Sequence, residues 1–425
     1  MDAPGTGISI CLSTIGRSSR RSLYSRIFAA QPSMPKSLGA FLSLADFEVN
    51  ARRILPKPLY AYVQGGVEEN LTLRANRRVF DDCFLKPGVL VDVSRRDISV
   101  DLFGHRYNAP VGIAPMGIAA LTGYRGDLSL ARAAAAANVP FVMSGSSLIR
   151  LEEVVEAAPN TWFQAYLPGD TAQIAPLIER VRKAGVKTLV ITVDTPVKAN
   201  RENNVRAGFS TPLRPSVALA YQGITHPRWL LGTFLRTLVK HGMPHFENNY
   251  ATRGAPVLSA SVVRDFTDRG HLNWEHVRQI RQQWAGAMVI KGILSAADAA
   301  HCQQFGIDGI IVSNHGGRQL DGSVPPLYVL PDIVEASGAM VVMADSGIRR
   351  GTDVMKMLAF GATMTFIGRP FNYASAVAGQ PGVTHAIDLI VAEVKRDLGM
   401  LGLTRLADIT RDNLVQRALQ PHTNL

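Results

Sequence analysis

Several features are scarce in this sequence, and each scarcity excludes a class of protein. The 425 residues include only three cysteines, which are widely separated and lack CxxC spacing. Neither a disulfide framework nor a zinc site is predicted, and a reducing, cytoplasmic compartment is favoured. No apolar run approaches the roughly 18 residues of a membrane-spanning helix. The longest apolar runs have the length of a β-strand instead.

Nucleic-acid-binding motifs are also absent, although the chain is basic, with a formal net charge of +11. No basic stripe interleaved with aromatic residues accompanies this charge, so a nucleic-acid partner is not predicted. The charge favours anionic small molecules or an anionic membrane surface as partners. A generally basic protein without such a partner is the alternative that the composition leaves open.

The first 37 residues are rich in serine and arginine and contain one acidic residue, Asp2. This composition is compatible with a transit peptide, with a disordered extension, or with an over-long start whose true initiator is Met34. We expect a disordered extension or an over-long start, followed by a single domain over residues 38–425.

From residue 109 onward, short apolar segments alternate with helical segments such as Asp127–Ala137, Ala172–Ala184 and Ser295–Phe305. Continuous apolar strands separated by helices indicate parallel pairing with both sheet faces covered. Eight such strands close an α/β fold of the (β/α)8, or TIM, barrel type. A doubly wound open sheet is the alternative, but the GxGxxG turn that it predicts after an early strand is missing. The predicted strands are Pro110–Pro115, Pro140–Ser144, Trp162–Leu167, Thr188–Asp194, Met288–Lys291, Gly309–Asn314, Met340–Asp345 and Met364–Gly368.

Two regions lie outside this alternation. The first region is residues 40–108, whose pattern predicts a helix over Ala45–Leu55, a second helix and a hairpin around Gly104. We expect this region to form a lid or plug on one end of the barrel. A long insertion over residues 198–270, after the fourth strand, far exceeds an ordinary loop. It is either a lid helix packed on the barrel or a basic amphipathic segment on an anionic membrane. Its apolar residues at helical spacing are Trp229, Leu230, Leu231, Phe234, Leu235, Leu238 and Val239, opposite Arg228, Arg236 and Lys240.

Polar side chains stand at or just beyond the carboxyl ends of seven successive predicted strands. In a barrel these ends form one mouth, where active sites lie. One such residue is readily explained as a cap or turn residue, whereas a set of ten at the same end predicts a site. The set is Ser144, Gln164, Tyr166, Thr192, Asp194, Lys291, Ser313, His315, Asp345 and Arg369.

The glycine-rich loop Ser313–Gly322 offers two kinds of chemistry. His315 is able to move a proton near neutral pH, and Arg318 is able to hold a carboxylate through two parallel hydrogen bonds. A loop histidine is more often a surface or hydrogen-bonding residue. Its position at the predicted mouth favours acid-base catalysis instead.

Short motifs recur in a fixed order between residues 62 and 370. They are Tyr62-Val63-Gln64-Gly65-Gly66, Ala114-Pro115-Met116-Gly117, Gln164-Ala165-Tyr166, Thr192-Val193-Asp194-Thr195-Pro196, Ile290-Lys291-Gly292, the Ser313–Asp321 loop, Asp345-Ser346-Gly347-Ile348-Arg349-Arg350-Gly351 and Ile367-Gly368-Arg369-Pro370. Together they resemble the FMN-dependent L-2-hydroxy-acid oxidase and dehydrogenase family, which includes glycolate oxidase, lactate oxidase and the L-lactate and mandelate dehydrogenases. The resemblance covers roughly residues 40–415, and the ordered set is far more specific than any one motif.

The resemblance implies which residues handle the substrate. His315 would be the base that takes a proton from a 2-hydroxy acid, and Asp194 would hydrogen-bond it and stabilise its imidazolium form. Arg318 and Tyr62 would fix the substrate carboxylate. Whether the proton leaves carbon or the hydroxyl group is open. The remaining implied contacts are Tyr166, near the substrate C2 atom, and Arg201, a second arginine of the mouth.

The resemblance also implies FMN as the cofactor, without a metal ion. Lys291 would lie beside the N1/O2 edge of the isoalloxazine ring, and the backbone of Pro115–Gly117 would face its N5 side. Neutral side chains would hydrogen-bond the ring, and the turns after the last two strands would hold the phosphate. The whole implied set is Pro115, Met116, Gly117, Ser144, Gln164, Thr192, Lys291, Ser313, Asp345, Ser346, Gly347, Arg349, Gly368 and Arg369.

Four positions bear on substrate and electron acceptor because they depart from relatives. Ser146 stands where glycolate oxidase has a large aromatic residue, Lys198 where an apolar residue is common, and Ser346 where many relatives have glycine. The size and polarity of the acid are therefore open between lactate-like and mandelate-like substrates. Gly117 resembles the dehydrogenase and monooxygenase branches, whereas the oxidases have alanine there.

We therefore expect a dehydrogenase that passes electrons to a membrane quinone, with peripheral association at the inner face of the membrane. A homotetramer is implied by resemblance. One alternative is an oxidase that converts O2 into H2O2. Others are a non-catalytic flavin- or phosphate-binding barrel and an FMN-dependent isomerase, which the pairing of His315 with Arg318 argues against.

Overall fold

The protein, a computed structural model, is described over residues 37–259 and 269–416. Phe41–Leu425 form one compact unit. Of the other unit, Met1–Ala40, only residues 37–40 are described, and Leu38–Ala40 form a 3-10 turn. The predicted N-terminal extension lies, except for Ser37, outside the described residues and stays a prediction.

A barrel of eight parallel strands forms the core, as the sequence predicted. Neighbours along the chain are neighbours in the sheet, and a parallel bridge between Ile113 and Phe141 joins the first barrel strand to the second. The described strands are β1 (Cys83–Leu85), β2 (Val100–Leu102), β3 (His105–Tyr107), β4 (Val111–Ile113), β5 (Val142–Ser144), β6 (Trp162–Ala165), β7 (Thr188–Thr192), β8 (Ala287–Ile293), β9 (Gly309–Val312), β10 (Val341–Ala344), β11 (Met364–Ile367) and β12 (Leu414–Gln416). The barrel consists of β4 to β11.

Every residue of β4, β7 and β9 is buried, because side chains fill one face of a barrel sheet and helices cover the other. The described helices are α1 (Leu44–Ile54), α2 (Lys57–Gln64), α3 (Leu71–Arg78), α4 (Ala119–Thr122), α5 (Gly126–Ala137), α6 (Leu151–Ala157), α7 (Ile174–Lys183), α8 (Glu202–Arg206), α9 (Val217–Ile224), α10 (Pro227–Trp229), α11 (Arg236–His241), α12 (Trp274–Gln283), α13 (Ala296–Gln303), α14 (Pro326–Ala336), α15 (Gly351–Ala359) and α16 (Arg369–Met400, interrupted at Ala378 and Gly379). The 3-10 turns are Val79–Asp82, Thr171–Gln173, Leu406–Asp408 and Arg411–Asn413, and Leu230–Leu235 is π-helical.

The β2–β3 hairpin closes the amino end of the barrel. Phe103 at its tip lies 5.5 Å from Trp162, the first residue of β6, measured between ring centroids. The indole of Trp162 also donates a hydrogen bond to the hydroxyl of Tyr107 at 3.0 Å. The predicted hairpin is therefore a plug, and the opposite, carboxyl end of the barrel is left for a site.

The long insertion, residues 198–270, lies between β7 and β8, and its described part contains α8 to α11. One side of the α10–α11 helix packs on the barrel. Trp229 is buried, and its indole donates to the carbonyl of Leu121 at 2.7 Å. The guanidinium of Arg236 lies 3.9 Å from the ring centroid of Tyr124.

The other side of the same helix is exposed, with Leu231 62% and Val239 86% accessible. The apolar residues predicted to share one face are therefore divided between a packed side and an exposed side. The π-helical turn Leu230–Leu235 contributes to this division because it changes the angular spacing between residues. No helix among residues 37–259 and 269–416 is both long and apolar enough to cross a membrane.

Candidate active site

The carboxyl ends of the barrel strands open into a cavity of about 710 Å³. Most of the predicted site residues line it. Ser144, Gln164, Asp194 and Ser313 do not; they are buried or nearly buried next to lining residues. The lining set is Tyr62, Pro115, Met116, Gly117, Tyr166, Thr192, Arg201, Lys291, His315, Arg318, Asp345, Ser346, Gly347, Arg349, Gly368 and Arg369.

His315, just beyond β9, pairs with groups that follow two other strands. Its Nδ1 lies 2.9 Å from Oδ1 of Asp194, beyond β7. Its Nε2 lies 3.4 Å from the hydroxyl of Tyr166, beyond β6. A carboxylate at Nδ1 fixes the proton of a neutral imidazole on that nitrogen and leaves Nε2 to accept one.

Burial and charge set the protonation state of this pair. Burial lowers the pKa of His315 below its ordinary value, and Asp194 offsets that effect only in part. Burial opposes the ionisation of Asp194, but His315 and Lys291 outweigh it, so the pKa of Asp194 also lies below its ordinary value. At neutral pH the pair is therefore a neutral imidazole held by a carboxylate, which is the state of a general base. Burial, then the charge of Asp194, raises the pKa of Tyr166 and keeps its phenol protonated.

Arg318 supplies a partly buried positive charge near this base. Its Nη1 donates to the carbonyl oxygens of Tyr62 at 2.7 Å and Gly65 at 2.8 Å. Arg201 donates from Nε to the carbonyl of Arg318 at 3.1 Å. Burial, followed by the charge of Arg201, lowers the pKa of Arg318. A carboxylate arriving from solvent would relieve both costs, so the arginine pair favours an anionic ligand.

Two further arginines gather at the turns after β10 and β11. Arg369 donates to the carbonyls of Val63 and Gly316, both at 2.9 Å. Burial lowers the pKa of Arg349 and of Arg369, and each is lowered further by a neighbouring arginine. This concentration of partly buried cations suits a doubly charged group such as a phosphate.

Gly347 lies in the same corner with a φ of +88°, in the left-handed region. A Cβ atom at this position would lie 2.0 Å from the carbonyl oxygen of Asn76. Only glycine fits here, for reasons of both conformation and space. The backbone therefore passes unusually close to α3 at this turn.

Lys291 and Asp345 form a buried ion pair on another wall, with Nζ 2.9 Å from Oδ2 and side chains 5% and 8% exposed. Burial lowers the pKa of Lys291, but Asp345 and Asp194 raise it more, so the net shift is upward. Lys291 is therefore a fixed positive charge. Such a charge stabilises an anion that develops on a neighbouring ring.

Two buried polar atoms near the ends of β6 and β7, Nε2 of Gln164 and Oγ1 of Thr192, have no hydrogen-bond partner among residues 37–259 and 269–416. The Ser144 hydroxyl already donates to Oε1 of Gln164 at 3.2 Å. Buried polar groups are normally paired, so these atoms indicate a polar ligand. Gln164 and Thr192 would hydrogen-bond a flavin ring and Arg349 and Arg369 would hold its phosphate, so the residues present fit FMN.

Four residues near the site were not predicted from the sequence. Gln319 accepts a hydrogen bond from Arg201 at 2.7 Å and donates to the carbonyl of Asp194 at 2.9 Å. Asn76 and Asn314 exchange hydrogen bonds of 2.9 and 2.7 Å. Phe209 of the insertion stacks on Tyr62 with centroids 4.6 Å apart. Gln319 lies in the predicted loop and could have been found, whereas no local pattern marks Asn76 or Phe209.

Comparison with known proteins agrees with this geometry. Residues 51–416 match the family described as FMN-dependent dehydrogenase. An L-lactate dehydrogenase of Ectopseudomonas mendocina is 40% identical over 378 residues, covering 87% of this chain and 98% of the relative.

Solved structures give the same result. A crystal structure described as the monotopic membrane protein (S)-mandelate dehydrogenase is similar, with a TM-score of 0.79 and 34% identity, covering 88% of this chain and 99% of that one. A mandelate oxidase with (S)-2-phenylpropionate gives a TM-score of 0.72 and 33% identity, with 88% and 98% covered.

In the part of the chain that the structure describes, no group of histidine, cysteine and carboxylate side chains is arranged to hold a metal ion. The family match covers residues 51–416, and the barrel, the cavity and the unpartnered polar atoms beside it agree with an FMN enzyme. The protein belongs to the FMN-dependent dehydrogenase family, and FMN is its cofactor.

Proposed function

We propose that the protein oxidises an L-2-hydroxy acid, lactate-like or mandelate-like, to the 2-oxo acid, with His315 as the base. One observation carries this proposal: the imidazole of His315, held by Asp194 at 2.9 Å, lines the same cavity as Arg318. A proton acceptor and a carboxylate-binding cation are the two groups that a 2-hydroxy acid requires. The L-lactate and (S)-mandelate dehydrogenases among the relatives support the same class of substrate.

The substrate carboxylate would bind Arg318, with the Tyr62 hydroxyl as a further donor. Nη1 of Arg318 is already engaged by two backbone carbonyls, which fixes the plane of the guanidinium. Its other nitrogens are therefore oriented before substrate arrives. Donors that are fixed in advance hold the substrate in the orientation in which it reacts, which lowers the barrier to the reaction. Arg201, hydrogen-bonded to the Arg318 backbone and to Gln319, supports this arrangement.

The proton released by the substrate would go to Nε2 of His315. The imidazolium formed is then stabilised by Asp194, because a buried cation without a counter-charge is costly. Tyr166, whose hydroxyl lies 3.4 Å from Nε2, would hydrogen-bond the substrate oxygen at C2. FMN, when bound, would take up the two electrons that the oxidation releases together with the second of the two hydrogens that the substrate loses. Lys291 would lie near the ring, and Arg349 and Arg369 near the phosphate.

We further propose a membrane quinone as the electron acceptor, with the protein cytoplasmic and peripheral on the inner face of the membrane. The exposed side of α9 to α11 supports this, with Val217 88%, Ile224 69% and Val239 86% accessible. Lys240 is exposed on the same segment and suits an anionic headgroup, whereas Arg228 and Arg236 already contact the Val377 carbonyl and the Tyr124 ring. The similar mandelate dehydrogenase is described as a monotopic membrane protein.

An oxidase that reduces O2 to H2O2 is the second candidate, which the similar mandelate oxidase favours. Gly117 argues for the dehydrogenase, because glycine at this position resembles the dehydrogenases rather than the oxidases of the family. A Cβ atom there would lie 3.1 Å from both the Tyr62 hydroxyl and the Ser146 Cβ. An alanine would therefore crowd the mouth, whereas glycine leaves this wall open.

A stopped-flow experiment distinguishes these candidates. The FMN-loaded protein is reduced anaerobically with L-lactate or L-mandelate and then mixed with O2 or with a short-chain quinone. The proposal predicts fast reoxidation by quinone and slow reoxidation by O2. Fast reoxidation by O2 would identify an oxidase. No reduction by any 2-hydroxy acid would favour a non-catalytic flavin-binding barrel. A separate measurement, the molar mass of the same sample by light scattering, tests the homotetramer that the resemblance implies.

A further inference from the structure

Two left-handed turns face each other at the mouth of the cavity. His315, Gly316 and Gly317 have φ values of +57°, +66° and +74°, and Ser346 has a φ of +75°. Left-handed backbone is disfavoured for residues with a Cβ atom and persists where surrounding contacts hold it. Ser346 is such a residue, so its contacts require explanation.

The hydroxyl of Ser346 connects the two turns. It donates to Oδ1 of Asp345 at 2.8 Å and accepts from the backbone N–H of Gly316 at 3.1 Å. Ser346 is only 8% exposed, so water does not readily replace these partners. A single buried hydroxyl thus joins the carboxylate after β10 to the backbone immediately after His315.

The connection closes into a ring of hydrogen bonds. Asp345 binds Lys291 through its other oxygen at 2.9 Å. Lys291 in turn donates to the hydroxyl of Ser313 at 2.8 Å. That hydroxyl accepts from the backbone N–H of His315 at 3.0 Å. Both amides that flank the His315 side chain are therefore tied, by different routes, to one buried ion pair.

We propose that Ser346 is a positioning residue for the base. Its hydroxyl holds the Gly316 amide and the Asp345 carboxylate together, so the left-handed backbone of His315 keeps one orientation relative to Lys291. A fully satisfied buried network is rigid and fails as a unit when one member is removed. The catalytic part of this inference rests on the proposed function; the structural part does not.

Two substitutions separate the hydroxyl from the backbone strain. Ser346→Ala removes the hydroxyl and keeps the Cβ atom, whereas Ser346→Gly removes the hydroxyl and relieves the strained conformation. If Ser346 only filled a turn, the glycine variant would be at least as good as wild type. If the hydroxyl positions the base, both variants lose function.

The first measurement is amide hydrogen exchange on the full-length, FMN-loaded protein. Both variants should exchange roughly tenfold faster than wild type in peptides covering Ser313–Gln319, because Gly316 has lost its acceptor. Ser99→Ala is the matched control. The Ser99 hydroxyl also donates to a nearby aspartate, Asp97, at 2.6 Å, but Ser99 does not line the cavity. Unchanged exchange in both Ser346 variants would overturn the proposal.

The second measurement is the split between kcat and KM, with the flavin reduction potential. We expect kcat to fall about tenfold, since small misplacement of a base is costly, while KM stays within about twofold because Arg318 and Tyr62 are untouched. The reduction potential of the flavin should become more negative. Without the hydrogen bond from Ser346, the Asp345 carboxylate cancels more of the positive charge of Lys291, and that charge is what would stabilise the reduced, anionic flavin. A rise in KM alone, or wild-type kcat in the glycine variant, contradicts the proposal. If no 2-hydroxy acid reduces even the wild-type flavin, the proposed function fails, and hydrogen exchange and the potential still decide the role of Ser346.

Discussion

The inner wall of the cavity buries charged side chains, whereas the outer side of the insertion exposes apolar ones. At the inner wall, charged groups are buried and paired: Lys291 and Asp345 are 5% and 8% exposed. On α9 to α11, apolar groups face outward, with Val217 88% and Leu231 62% accessible. Buried charge is stable only when geometry is fixed, whereas exposed apolar surface is typical of a binding surface. The comparison separates a rigid reaction site from an adaptable contact surface.

Removal of the base tests the inner wall with the largest expected effect. His315→Gln should retain FMN, because Lys291, Arg349 and Arg369 are unchanged. Flavin reduction by substrate should fall by about 10³-fold, in the range for loss of a general base. Rapid-mixing absorbance of the yellow protein measures it. A rate within tenfold of wild type would remove His315 from its assigned role.

Asp194→Asn should have the next largest effect. Loss of the carboxylate that stabilises the imidazolium should slow flavin reduction by roughly 10²-fold. The sign of the pH effect follows from burial, which lowers the pKa of His315, and from Asp194, which raises it. Since the neutral imidazole is the active form, the rate falls as pH drops through this pKa. Without Asp194 the pKa falls further, so the acid limb of the pH–rate profile should move to lower pH. A limb that moves to higher pH would be inconsistent with this account.

Arg318→Lys sharpens the comparison because it keeps the charge and removes the planar fork. A point charge does not reproduce two parallel hydrogen bonds. We expect KM to rise by roughly tenfold and kcat to fall by a smaller factor, measured by steady-state turnover with a soluble dye. Arg180→Lys provides a matched control, because the Arg180 guanidinium binds Glu152 outside the cavity. An unchanged KM in Arg318→Lys would contradict the carboxylate-binding role.

Changes on the outer side should have the smallest effect on chemistry. The combined variant Leu231→Glu, Leu235→Glu and Val239→Glu places charge on the exposed side of the helix and leaves buried Trp229 in place. Turnover with a soluble dye should stay within about twofold, while the fraction that sediments with anionic liposomes should fall roughly tenfold. Equal sedimentation of the variant, or no sedimentation of the wild type, would rule out this surface as the membrane contact.

The barrel was predictable because the same sequence pattern, an apolar strand followed by a helix, repeats along the chain. Strands buried on both faces are continuous apolar runs, so β7 and β9 stand out in the sequence, and the polar residues after them mark the mouth. Most strand ends were placed one or two residues too far, whereas the predicted fifth strand stopped at Lys291, two residues before the end of β8 at Ile293. The predicted fourth strand ran to Asp194, whereas β7 ends at Thr192, because pairing stops where the chain turns into the site.

The site was less predictable where function depends on groups brought together by the fold. The separation of Asn76 from Asn314, 238 positions along the chain, leaves no local pattern. The ring through Ser313, Lys291 and Ser346 joins three different strand ends. The insertion was ambiguous for another reason: apolar residues at helical spacing are compatible with both a packed side and an exposed side, and the helix has both.

The central claim is that one cavity brings a proton-accepting imidazole, a carboxylate-binding arginine and FMN together. It is tested most directly by anaerobic titration of the FMN-loaded protein with a panel of L-2-hydroxy acids, including lactate, mandelate and glycolate. The account predicts that at least one acid bleaches the yellow absorbance of the bound flavin, and that His315→Gln stays yellow with the same acid. A wild-type spectrum that no acid changes would contradict it.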